Sequence, residues 1–101
     1  MDLKGNIDVK EAYQDKMKAQ LEKLDARIDL LRAEAKEAQA DAKIEINERV
    51  EALEGQREEA QKRLDNVKES GAAAWRDLKS GMDTAMRELE NSVEQAVDKF
   101  K

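Results

Sequence analysis

Few side chains in this 101-residue chain could do chemistry, and each lacks the companion that chemistry needs. Asp41, Glu45 and Glu48 stand at i, i+4 and i+7, which places three carboxylates on one helical face where a divalent cation could sit. Helical-bundle metal centres of the di-iron type pair such carboxylates with Glu-x-x-His, and the chain has no histidine. These three residues are therefore expected to be solvated surface charge, with no metal or other cofactor. Ser70, Ser80, Ser92, Thr84 and Tyr13 supply hydroxyls. With no histidine there is no Ser–His pair. A Ser–Lys pair could use Lys68 or Lys79, but no glycine-rich loop shapes a site around either. With no cysteine, thiolate nucleophiles, disulfides and zinc–thiolate sites are absent too. The expectation is a protein that is not an enzyme, with no catalytic residues.

Trp75 is the remaining singular residue, the only tryptophan. It could anchor a membrane or ligand, but it lies in register with Leu78 and Met82, so it is read as a core residue at one end of a bundle. Met17, Met82 and Met86 are likewise read as seam fillers rather than soft-metal ligands.

The elements that must position these residues are helices. Ala, Glu, Lys, Leu and Arg make up 57 residues, and there is no proline. All five are strong helix formers, and nothing inside the chain forbids a helix from continuing. Of 40 hydrophobic residues 15 are alanine, leaving 25 large enough to build a core. That is a thin seam rather than a broad core. Acidic groups number 24 and basic groups 19, so the charges nearly cancel, which together with the periodicity favours ordered helix over disorder.

The seam can be followed by its spacing. Met17, Leu21, Leu24, Ile28, Leu31, Ala35, Ala38 and Ala42 step by 4, 3, 4, 3, 4, 3 and 4, a heptad pattern. Ala42, Ile46 and Val50 are then four apart, a stutter, and Leu53, Arg57, Ala60, Leu64 and Val67 continue it. No Gly or Pro marks the slip, so the pattern predicts one helix over 8–69, ~93 Å long, that changes twist. Asp8 and Glu11 read as its capping box, with 1–7 a flexible lead-in. Ser70-Gly71 reads as a turn, with Gly71 in the left-handed position and Ser70 free to cap the next helix. Trp75, Leu78, Met82, Met86, Leu89, Val93, Ala96 and Phe100 then mark a second helix over 72–100, ~42 Å long.

The fold class expected is all-α: an antiparallel coiled-coil helical hairpin forming one domain. The shorter helix can cover only 42–69 of the longer one, so 12–41 needs a partner. A weaker stripe of Ala26, Leu30, Ala33, Ala40 and Ile44 on the opposite face suggests a helix sandwiched between neighbours. An antiparallel homodimer crossing near residue 40 meets both needs. Four acid-first i,i+4 pairs, Glu45–Arg49, Glu58–Lys62, Glu59–Arg63 and Asp83–Arg87, support helix on the outer faces. The net charge of −5, with no basic block longer than two residues, argues against nucleic acid. No run of ~20 apolar residues is present, the first residues do not read as a signal peptide, and a cytoplasmic location is expected.

One stretch is more specific. Asp41-Ala42-Lys43-Ile44-Glu45, followed by Ser70-Gly71 and Ala74-Trp75-Arg76-Asp77-Leu78-Lys79-Ser80-Gly81-Met82, resembles a family of small bacterial coiled-coil proteins linked to stress response. The resemblance implies a cytosolic, non-enzymatic structural or interaction protein and carries no catalytic or binding residues. It also implies an alternative, an apolipoprotein-like amphipathic helix on a lipid, membrane or granule surface. Residues 71–101 carry five basic and six acidic groups, so anionic lipid gains nothing from them.

Overall fold

A chain that must bury a thin seam can do so by folding back on itself, and this one does so twice. The computed structural model describes the backbone of residues 3–100 and the side chains of residues 8–100. It has three helices: α1 (Leu3–Glu37), α2 (Ala40–Glu69) and α3 (Trp75–Lys99). α2 runs antiparallel to α1, and α3 returns alongside both, giving an up-down-up bundle of 59 × 18 × 16 Å.

The expected hairpin is thus a three-helix bundle, and the single helix over 8–69 is two helices. The chain turns at Ala38-Gln39, where Gln39 is extended (φ −67°, ψ 161°) and caps α2 without a side-chain bond. Neither residue breaks helices. The reason is tertiary. Between Leu31 and Ile44 the chain has no large apolar side chain, so a straight helix there has little to bury. Folding back lets α2 and α3 cover α1 from the same chain, at the cost of one two-residue turn. Met17, Leu21, Leu24, Ile28 and Leu31, the half expected to need a partner, are buried inside the single chain.

Other boundaries differ as well. Residues 3–7 are helical, so the expected lead-in is part of α1, and Asp8 lies within the helix rather than capping it; Met1 and Asp2 fall outside the described residues. α2 ends at an extended Ser70 (φ −76°, ψ 155°), and no described glycine has a positive φ, so Gly71 is not the left-handed cap. Ser70 caps backwards: its backbone N–H and its Oγ both donate to the Val67 carbonyl. Residues 72–74 form a turn, and α3 begins at Trp75, whose N–H reaches the Gly71 carbonyl.

The core is continuous and wholly apolar among the described residues. α2 contributes Ile46, Val50, Leu53, Ala60, Leu64 and Val67; α3 contributes Trp75, Met82, Met86, Leu89, Val93 and Ala96. Four seam positions depart from expectation. Ala42 is exposed and Leu78 is 39% exposed, while Ala38 and Phe100 are half-buried. Ala38, Ala42 and Phe100 lie around the α1–α2 turn, where the bundle ends and less of it remains to cover them. Leu78 lies at the edge of the stripe that α3 turns inward.

Candidate functional site

The densest set of polar contacts lies at the end of the bundle where the start of α1 meets the α2–α3 connection. Tyr13 is four residues before Met17, so α1 turns its ring into the core beside Trp75, with ring centroids 5.6 Å apart and tilted 35°. Its hydroxyl donates to Asp83 Oδ1 at 2.5 Å and lies 3.3 Å from the Lys79 carbonyl. Lys79 Nζ donates to Asp83 Oδ2 at 3.1 Å and sits 5.3 Å from the Tyr13 ring centroid. Burial pushes the Tyr13 phenol well above its ordinary range, and the Asp83 carboxylate it donates to raises it further. Burial alone would raise the Asp83 carboxyl, but the hydrogen bonds from Tyr13 and Lys79 outweigh it and hold it below the usual value. Lys10 Nζ donates to the carbonyls of Lys68, at 3.1 Å, and of Ser70. A cation from α1 thereby satisfies the exposed C-terminal carbonyls of α2.

Along the middle of the bundle α1 and α2 are tied by ion pairs. Arg57 grips Asp25 bidentately at 2.8 and 2.9 Å, and this bond raises the guanidinium's proton affinity against a smaller opposing effect of burial. Arg32 pairs with Asp29 at 2.5 Å and with Glu54. These groups line an open groove whose floor is Ile28 and Gly55. The groove holds charge of both signs, with Arg32 and Arg57 paired to Asp29, Glu54 and Asp25 and with Glu51 and Glu58 also lining it, and none of its lining residues is a nucleophile beside a base.

The residues singled out for chemistry are not assembled into a site. Glu45 pairs with Lys99 at 2.5 Å, and among the described residues no three carboxylates are placed to hold a metal ion. Lys79 is engaged with Asp83, and the Ser70 hydroxyl donates to the Val67 carbonyl. Of the four acid-first helix pairs, Glu59–Arg63 is made, at 3.2 Å. Glu45 instead pairs with Lys99 on α3, and Asp83 with Tyr13 on α1 and with Lys79, four residues before it.

Trp75 is 2% exposed and faces the core, with the Arg76 guanidinium 5.6 Å from its ring centroid. Its indole N–H is buried without a hydrogen-bond partner. The stripe expected to be sandwiched stays outside: Leu30 is 65% and Ile44 59% exposed, and Ala26, Ala33 and Ala40 are exposed too. The structure adds Tyr13 to the seam residues and buries Ala60 among them. Tyr13 was legible, since 13, 17, 21 and 24 extend the same spacing. Among the described residues no helix is long and apolar enough to cross a membrane.

The fold defines the class as an all-α helical bundle. Compared with protein-family models, curated proteins and solved structures, the chain finds no match in any of the three.

Proposed function

We propose that this chain is a non-enzymatic structural or interaction protein of the bacterial stress response, acting through the outer faces of its helices. The observation that carries the reading is how its residues are used. Most of its large apolar side chains pack helix on helix, and Tyr13 with Asp83 and Arg57 with Asp25 serve as struts between helices. The segment that carries the family resemblance is used in the same way. Trp75 packs on Tyr13, Lys79 braces Asp83, and Gly81 leaves room for the Arg63 guanidinium to lie across α3. Complementation tests it. A strain lacking the gene should grow poorly under salt or oxidative stress and be rescued by the wild-type chain. A folded variant with the exposed Glu22, Glu48 and Glu90 changed to Lys should fail to rescue. A deletion strain with no defect rejects the stress assignment, and rescue by the variant rejects the outer faces.

A second reading, binding to a lipid or granule surface, is favoured by one observation. The Trp75 indole N–H has no partner in the core, whereas at a lipid–water interface it would find one. Trp75 is the single tryptophan, so its fluorescence reports this directly. Neutral vesicles or droplets should leave the spectrum unchanged under the first reading. A shift accompanied by a change in helicity would transfer the function to the second.

A further inference from the structure

We propose that the chain has a second copy of itself as a partner, reached when the Ala38-Gln39 turn straightens and two chains exchange α1. The inference rests on the bundle reading above and on three observations. First, the turn contains no helix breaker, and Gln39 already has a helical φ of −67°, so only its ψ of 161° departs from helix within that residue. Second, helical phase is kept across the turn. At 100° per residue, the buried Ile28, Leu31 and Ala35 before it and Ile46, Val50 and Leu53 after it fall within an arc of about 100°. A chain that only ever turned here would have no need of that agreement. It is what one continuous helix over 3–69, about 100 Å long, requires. Third, the closed bundle leaves the seam incomplete at the turn. Ala38 is half-buried, Ala42 is exposed, and with Phe100 they border a shallow hollow.

The register of the closed bundle says what would fill that gap. The α1–α2 contacts pair Lys10 with Lys68 and Ser70, and Asp25 with Arg57. Paired numbers therefore add to roughly 80. If two straightened chains remake these contacts on each other, their two-fold axis falls near residue 40, and Ala38 of each chain meets Ala42 of the other. Both are small, so the helices approach closely there. Each α1 then packs on the partner's α2 and α3, using contacts the monomer already makes. That is the condition under which an exchange of elements is cheap.

The test combines light scattering for mass, small-angle X-ray scattering for length and two variants, after slow cooling from the unfolded state at high concentration. Ala40→Pro suits the closed turn, because Ala40 is the first residue of α2 and Gln39 before it is extended. In a straightened helix the same proline removes a hydrogen bond and clashes. Ala42→Gln alters an exposed position in the closed form but wedges the crossing. The wild type should show a species of twice 11.5 kDa and about 100 Å, against 59 Å for the monomer. Ala40→Pro should weaken dimerisation at least about a hundredfold, with Trp75 fluorescence unchanged. Ala42→Gln should weaken it too, and serves alone should the proline variant fail to fold. A wild type that stays monomeric, a dimer much shorter than 100 Å, or a dimer indifferent to the substitution would overturn the proposal. A folded monomer would leave the complementation test of the bundle's role untouched.

Discussion

Tyr13 ties three parts of the chain together: it packs on Trp75, donates to Asp83 and receives the Lys79 ammonium over its ring. Tyr13→Phe keeps the packing and removes the hydrogen bond. A bond to a charged, partly exposed acceptor makes that a loss of about 1 kcal/mol, read as a lower urea midpoint. The same bond gives stability a pH window. Because the folded phenol is raised, its contribution is complete below the unfolded phenol value of about 10 and is lost as pH climbs through the folded value. Because the folded Asp83 carboxyl is lowered, its contribution is complete above about 4 and is lost as pH falls through its folded value. Urea midpoints across pH should fall off on both sides for the wild type, and the alkaline fall should flatten in Tyr13→Phe. With only one tyrosine in the chain, tyrosinate absorbance follows this group alone.

Within α2 and α3, two glycines stand where alanine could be placed. A Cβ at Gly55, in α2, meets nothing within 4 Å, and a Cβ at Gly81, in α3, comes 2.8 Å from Arg63 Nη1. Gly55→Ala should stabilise by about 0.5–1 kcal/mol, a rise of a few degrees in Tm. Gly81→Ala should gain less, since the Arg63 tip must move aside, although a flexible side-chain end moves readily. A loss of stability at Gly55 would mean that the α1–α2 groove is not open. Element boundaries, too, depend on residues distant in the chain. The end of α2 is secured by Ser70 bonding backwards and by Lys10 arriving from α1. The first device spans three residues and the second fifty-eight, and the Ser-Gly pair taken alone reads only as a break.

For the whole molecule, burial decides which apolar residues matter. Leu89 is fully buried, so Leu89→Ala should cost about 2–4 kcal/mol, much of the stability of a domain this size. Leu78 is 39% exposed, and Leu78→Ala should cost less than about 1 kcal/mol. Equal losses in chemical denaturation would place Leu78 in the core and α3 in another rotation. An up-down-up helical bundle has mostly local connections, so refolding followed by Trp75 fluorescence should finish within milliseconds. With no proline in the chain, no phase of tens of seconds should follow.

The sequence by itself determined that the chain is helical, where its seam runs and that α2 ends near residue 70. These are properties of composition and spacing, and spacing survives whatever the helices pack against. It also established that no histidine or cysteine chemistry exists, since residue types do not depend on folding. Only the tertiary structure decided that the chain turns at Ala38-Gln39, because nothing in Ala-Gln prefers a turn over a helix. What selects the turn is the burial that α1 gains by having α2 and α3 laid against it. The same burial turned Tyr13 inward, left Ala42 and Leu78 outside, drew Glu45 to Lys99 on α3 and gave Asp83 the Tyr13 hydroxyl on α1 beside its local partner Lys79. Such choices compare contacts between residues far apart in the chain, and local spacing carries no record of them.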